Sequence, residues 1–152
     1  PSLKPQSVWR WKQSRKELMV EFLTPSFEAE ETIRPLAALG VEAHSLHHLN
    51  YLIRNPIQAA VPYRSGVLVQ IPQPERFAIH KLIVADRRRN ADRIKSVKDR
   101  AQAGFLIRVL AEDRPDELAE AYADARDQGT KWCTRLDATL SRMPDVRVML
   151  NT

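Results

Sequence analysis

Apolar and polar residues follow two different patterns along the chain, and the change falls near residue 73. Before it, short apolar runs separated by turn-forming residues predict strands; after it, apolar residues recur every three or four positions, which predicts helices. Pro72 and Pro74 mark the change. We therefore expect an α+β fold, with a small mixed or antiparallel sheet in residues 1–73 and a helical domain in residues 74–152.

Two β-hairpins are predicted in the first part of the chain. The alternating, aromatic-rich residues 7–12 are separated from the apolar residues 17–23 by a short polar turn. The apolar runs 57–62 and 66–71 flank a second turn in the same way. Each pair has the length and spacing of antiparallel neighbours.

The stretch between the two hairpins has a helical pattern. Residues 28–39 predict a short or irregular helix that is interrupted by Pro35 and ended by Gly40. Ser45 has the side chain of a helix cap, and the helix that it would start should end at the Asn-Pro pair 55–56.

Four longer helices are predicted in the second part of the chain, at residues 75–89, 92–111, 115–128 and 131–142. The last apolar positions, within residues 145–150, predict a short strand or a tail. The second part should therefore be a helical bundle.

Charge is unevenly distributed along the chain. The net charge of the 152 residues is +5, but residues 74–110 carry ten Lys or Arg against four Asp or Glu. A basic segment of this kind attracts the phosphates of nucleotides or of nucleic acid. A solvated helical surface has the same composition, so charge alone leaves both interpretations open.

Composition also limits the cellular setting. Cys133 is the only cysteine, which excludes an intramolecular disulfide and suits the reducing cytoplasm. No apolar run approaches the ~20 residues that a membrane span requires. The chain begins at Pro1, without a starting Met or the apolar core of a signal peptide, and we interpret it as an excerpt of a cytoplasmic protein.

Glu21 is the first candidate for chemistry. In a strand over residues 17–23 it shares a face with Met19 and Leu23, close to the end of the strand, where a carboxylate can reach the rim of a sheet. Metals that handle phosphates need several carboxylate oxygens. A single Glu on a half-exposed strand is more often an ordinary surface residue.

Lys81 is the second candidate. It lies on the apolar side of the helix predicted at residues 75–89, whereas Arg76, His80 and Arg87 lie on the polar side. An ammonium in this position either holds a phosphate at the edge of a cleft or extends past its apolar neighbours to solvent. The pattern does not choose between the two.

Lys98 has a similar position in the next helix. It falls within an apolar stripe formed by Ile94, Val97, Ala101, Phe105 and Val109. Two such lysines on adjacent helices predict a shared polar pocket in which Lys81 and Lys98 approach one another. The alternative is a structural pair between Lys98 and the carboxylate of Asp86 or Asp99.

Several of these segments occur together in one known family. They are Val-Glu-Phe-Leu-Thr-Pro at residues 20–25, Arg-Phe-Ala-Ile-His-Lys-Leu within residues 69–84, the segment 95–103 and the intervening 46–52. Together they resemble the C-terminal portion of a family of bacterial proteins with the nucleotidyltransferase fold of the DNA polymerase beta superfamily, which includes minimal, toxin-like members. The resemblance covers residues 8–111, and the Arg-Phe-Ala-x-His-Lys-Leu run is its most specific part.

The resemblance implies roles for four residues. Glu21 would be the third metal-binding carboxylate and a catalytic residue, while Lys81, Lys98 and Asp99 would bind the nucleotide. Such enzymes transfer a nucleotidyl group from a nucleoside triphosphate to an acceptor, here an unknown protein or nucleic acid, and they use Mg²⁺. The strands before residue 73 would then be the C-terminal part of a catalytic sheet.

One departure from the family pattern leaves two interpretations open. The family's Gly-Ser or Gly-Gly turn and paired Asp-x-Asp carboxylates belong before residue 17, and residues 1–16 contain neither Gly nor Asp. Either a complete protein supplies them, or the chain is a non-catalytic, basic helical module that binds nucleic acid or protein. The resemblance to toxin components would make an antitoxin protein the expected partner.

Overall fold

The computed structural model describes residues 3–13, 18–88 and 92–150. Its contacts divide the chain into two compact units, residues 1–50 and residues 51–152. The strands of the described residues all precede Pro72 and the long helices all follow it, which confirms the α+β class. The compact units divide earlier than the boundary predicted at 73–74, so the second hairpin lies in the same unit as the helices.

The first unit is built from short strands in two sheets. Its described strands are β1 Leu3–Ser7, β2 Arg10–Gln13, β3 Met19–Glu21, β4 Leu23–Pro25, β5 Ile33–Leu36 and β6 Val41–Leu46. One sheet has the order β1-β2-β3 and is antiparallel; the other has the order β4-β6-β5, with β4 parallel to β6. The strand pairing of the predicted first hairpin is confirmed as β2 and β3, residues 14–17 between them lie outside the described residues, and β1 was not predicted.

The strand predicted at residues 17–23 is divided between the two sheets. Arg10 pairs with Glu21 in the first sheet, whereas Leu23 pairs with His44 in the second. The backbone N–H of Phe22 donates to the carbonyl of Trp9, 3.0 Å away. Glu21 is therefore the last residue of β3, at the point where the chain passes from one sheet to the next.

Of the two helices predicted between the hairpins, the one at residues 28–39 is wrong, whereas the second is confirmed as a shorter helix, Leu49–Ile53, that ends before the Asn-Pro pair 55–56. Residues 28–39 form β5 and a single 3₁₀ turn, and Pro35 is tolerated because β5 is an edge strand of its sheet. Gly40 does end the turn, with a φ of +62° that suits glycine. Ser45 caps no helix: it is buried in β6, where its hydroxyl accepts a hydrogen bond of 2.8 Å from the N–H of Thr32.

The second unit contains the remaining elements. They are the part of helix α1 Leu49–Ile53 that follows Asn50, β7 Ile57–Val61, β8 Val67–Ile71, α2 Pro74–Arg87, α3 Arg93–Asp113, α4 Pro115–Arg126, α5 Thr130–Leu140 and α6 Pro144–Met149. The second hairpin and the four long helices are confirmed. The strand or tail predicted at residues 145–150 is wrong, because Pro144 begins a further helix, a position that suits its fixed φ.

Helix α2 lies at the centre of the second unit and packs against α3, α4 and α5. Among the described residues, six Leu and Ile side chains of the core are fully buried: Ile79, Leu82, Ile83, Ile107, Leu136 and Leu140. Burial of each such side chain contributes about 1.5–3 kcal/mol. Two buried hydroxyls tie the helices together: Ser96 donates to the carbonyl of Ala85 at 2.7 Å, and Thr139 donates to that of Leu82 at 2.8 Å.

The face of α3 that packs on the core is not the predicted one. The predicted stripe is exposed, with Ile94 86% and Phe105 65% accessible. The buried face consists instead of Ser96, Asp99, Ala103, Gly104, Ile107 and Leu110. Small residues allow close approach here, since a Cβ on Gly104 would lie 2.9 Å from the side chain of Met143. Lys98 is consequently exposed, and its predicted core-facing position is wrong.

No helix among the residues that the structure describes has the length and apolar character of a membrane span.

Candidate functional site

A buried carboxylate on α3 holds two cations, one from the middle of α2 and one from the residue that follows its end. The ammonium nitrogen of Lys81 lies 2.7 Å from Oδ1 of Asp99, and Nε of Arg88 lies 3.1 Å from Oδ2. The side chain of Asp99 is only 3% exposed, compared with 20% for Lys81 and 32% for Arg88. We call these three residues the Asp99 cluster; its two cations and one carboxylate leave a net positive charge.

Helical spacing explains the cluster. Lys81 lies in α2, and Arg88 directly follows its last residue, seven positions and about two turns after Lys81, so both side chains start from the same side of the helix. Phe77, one turn before Lys81, places its ring 5.2 Å from the ammonium, within the range of a cation–π contact. Asp99 occupies the buried face of α3 that meets this side of α2, and it takes the place beside Lys81 that was predicted for Lys98.

The cluster can bind an anion while both ion pairs of Asp99 are kept. An ammonium has three hydrogen-bond donors, and Asp99 accepts from Lys81 through one of them. Arg88 uses its Nε for Asp99, and its side chain remains partly exposed. An ionised carboxylate has no hydrogen-bond donor for a phosphate oxygen and carries the same sign of charge, so Asp99 would act by positioning the two cations.

His80 lies beside this cluster, partly buried, and its imidazole is neutral near pH 7. Burial, and then the positive charges of Lys81 and Arg87, lower its pKa from 6.5 to about 4. The sequence pattern predicted a polar face containing Arg76, His80 and Arg87. Arg76 is in fact buried, since its side chain is 5% exposed and forms a 2.5 Å ion pair with Asp124.

The lowered pKa of His80 predicts a pH-dependent stability. Between pH 4 and 6.5 the unfolded chain binds a proton at this imidazole and the folded chain does not, so the free energy of unfolding should decrease as pH falls. From pH 7 to pH 5 the decrease should be about 2 kcal/mol. Urea denaturation at the two pH values should show it, and His80→Gln should remove it whereas His44→Gln should not. Equal pH dependence in all three proteins would contradict the prediction.

Arg76 has a structural role in the second unit. Besides its pair with Asp124, its guanidinium stacks 4.9 Å from the ring centroid of Tyr51. The hydroxyl of Tyr51 donates to the carbonyl of Ala121 at 2.8 Å, and burial raises the pKa of this hydroxyl. Arg76 therefore connects α1, α2 and α4, and no feature of the local sequence pattern indicated that it would be buried.

Glu21 lies at the end of β3 and is partly exposed, as expected for a residue at the rim of a sheet. One of its carboxylate oxygens is 2.7 Å from Nη2 of Arg10, its partner on β2, and its side chain is 34% exposed. The described residues contain no group of three His, Cys, Asp or Glu side chains that could hold a metal ion. Glu21 thus stands as a single acid beside a single cation.

Comparison with known proteins gives one match. A protein-family model described as Nucleotidyltransferase matches residues 1–127. Comparisons with curated proteins and with solved structures give no significant match. The matched range includes the first unit, the Asp99 cluster and all of α4.

Proposed function

Because the chain belongs to a nucleotidyltransferase family, we propose that the protein transfers a nucleotidyl group from a nucleoside triphosphate to an acceptor that is a protein or a nucleic acid. The observation that carries the proposal is the family match over residues 1–127, which contains Glu21, Lys81, Lys98 and Asp99. The net positive Asp99 cluster within that range supports it. We also propose that the protein acts in the cytoplasm and that its reaction depends on Mg²⁺.

The described residues do not form a Mg²⁺ site by themselves. Magnesium requires several oxygen ligands in octahedral geometry, whereas Glu21 is one carboxylate and is already paired with Arg10. We propose Glu21 as one metal ligand and a catalytic residue, with the other carboxylates outside the described residues. Its partial exposure at the end of a strand supports this role.

Lys81 is the proposed ligand of the triphosphate. It has donors beyond the one used by Asp99 and it is partly exposed. Asp99 would hold it and Arg88 in place, and the exposed Lys98 would contribute long-range attraction to the same phosphates. Of the three nucleotide-binding residues proposed, Lys81 therefore has the largest expected effect on affinity.

Lys81→Ala should weaken binding of a nucleoside triphosphate by about 10- to 100-fold, because it removes a charge-assisted contact to phosphate. Isothermal titration of the full-length protein with Mg²⁺ and each of the four nucleoside triphosphates measures the loss. Lys131→Ala removes an exposed lysine and is the matched control. Lys81→Arg keeps the pair with Asp99 and should retain most of the affinity. Unchanged affinity in folded Lys81→Ala would exclude Lys81 as a ligand.

The basic character of residues 74–110 favours a second candidate, a non-catalytic module that binds nucleic acid or an antitoxin-like protein. The two candidates differ in one measurement. The transferase incorporates label from an α-³²P nucleoside triphosphate into an acceptor in a cell extract, whereas the binding module retains affinity for its partner without incorporation. Incorporation that depends on the purified protein would therefore exclude the second candidate.

A further inference from the structure

A basic cavity lies where the end of α2, the beginning of α3 and the turn after α5 meet. Its volume is about 430 Å³. It is lined by four arginines and two further polar side chains: Arg88, Arg93, Arg100, Arg142, Asp86 and Ser96. We call it the arginine pocket. It lies within the second unit and depends on no residue of the first.

Most of its positive charge is not neutralised. The one carboxylate of the lining, Asp86, already forms an ion pair of 3.0 Å with Arg135. Arg93, Arg100 and Arg142 have no carboxylate partner among the residues that the structure describes. Mutual repulsion of cations gathered in one cavity is unfavourable unless an anion enters, so the pocket has the electrostatics of an anion site.

Two of the guanidinium groups are held by buried neighbours. Nη1 of Arg100 donates to the hydroxyl of Ser96 at 2.8 Å, and that hydroxyl in turn donates to the carbonyl of Ala85 at 2.7 Å. Arg88 is held by the buried Asp99. A binding group that is already oriented loses less conformational entropy when the ligand arrives. Arg88 is thus shared between the Asp99 cluster and the arginine pocket.

We propose that the arginine pocket binds phosphate groups. Planar guanidinium donors match the oxygens of a phosphate in pairs, and the described lining offers no aromatic side chain against which a base could stack. Its ligand is therefore recognised through phosphates, whether these belong to a polynucleotide backbone or to a free polyphosphate chain. The inference stands on the second unit alone and does not require the transfer reaction.

The test removes the two arginines that are exposed and without carboxylate partners, Arg93 and Arg142, because their loss should not disturb the fold. The double variant Arg93→Gln/Arg142→Gln is compared with Lys131→Gln/Arg147→Gln, which loses the same charge from positions outside the pocket. Two affinities are measured for each protein. Titration measures binding of inorganic tripolyphosphate, and fluorescence anisotropy measures binding of a labelled single-stranded RNA oligonucleotide.

In the pocket variant, affinity should fall by about tenfold for each phosphate contact removed, and the control should stay close to wild type. If the ligand is a polynucleotide backbone, the loss appears with RNA, and the slope of log affinity against log salt shrinks by about 0.7 for each phosphate contact removed. A loss with tripolyphosphate identifies a free polyphosphate chain. The inference is overturned if wild type binds neither probe, or if pocket and control variants lose affinity equally.

Discussion

Asp99→Ala should lower the free energy of unfolding of the protein by about 3–5 kcal/mol. The side chain is 3% exposed and accepts from both Lys81 and Arg88. Without it, two cations at the edge of the core face one another with no counter-charge, and neither can regain full hydration while the helices remain packed. Urea denaturation followed by far-ultraviolet circular dichroism measures the change.

Asp86→Ala is the matched control, because Asp86 is also a helical aspartate paired with one arginine, Arg135. That pair is half-exposed, with side chains 24% and 37% accessible, so its loss should lower the free energy of unfolding by no more than about 1 kcal/mol. Lys81→Met combined with Asp99→Leu should recover part of the stability, since apolar side chains of similar volume replace the buried pair, while Arg88, which is about one-third exposed, loses its carboxylate. If Asp99→Ala and Asp86→Ala lower the free energy of unfolding by similar amounts, burial of Asp99 does not determine how much the cluster contributes to stability.

Glu21→Gln should reduce nucleotidyl transfer by the full-length protein by about a thousandfold or more, equivalent to roughly 4 kcal/mol in the activation free energy. The amide keeps the size of the side chain but lacks the negative charge that a metal ligand requires. The fold should remain intact, because the pair that the change weakens, with Arg10, is partly exposed and contributes about 1 kcal/mol or less. The measurement is label incorporated from an α-³²P nucleoside triphosphate.

Glu28→Gln offers a close control in the same unit, since Glu28 also forms an exposed ion pair, with Arg34. Its substitution should change neither transfer nor thermal unfolding appreciably. Retention of wild-type transfer in Glu21→Gln would remove Glu21 from the catalytic assignment while leaving the family membership intact. Absence of transfer in wild type with every nucleotide would instead contradict the proposed function.

Several features of this protein could be predicted from its sequence. The spacing of apolar residues changes at Pro72 and Pro74, and this change separated the strands from the long helices. The second hairpin and four helices were predicted from the local pattern of apolar and polar residues. Proline at the start of a helix acts through its own fixed φ, so α4 could be placed without knowledge of its neighbours. The Arg-Phe-Ala-x-His-Lys-Leu run was also sufficient to suggest the nucleotidyltransferase family.

Tertiary structure decided what local pattern could not. Residues 33–36 and 41–46 form strands because neighbouring strands satisfy their backbone hydrogen bonds, and Ser45 lies buried in β6 instead of capping a helix. On α3 the most apolar stripe stayed exposed, because the small residues Ala103 and Gly104 allow closer packing than Phe105 does. Because this face of α3 is the buried one, Asp99 lies against Lys81 and Lys98 is exposed to solvent. A helical wheel records only which residues share a side, whereas the partner surface determines which side is buried.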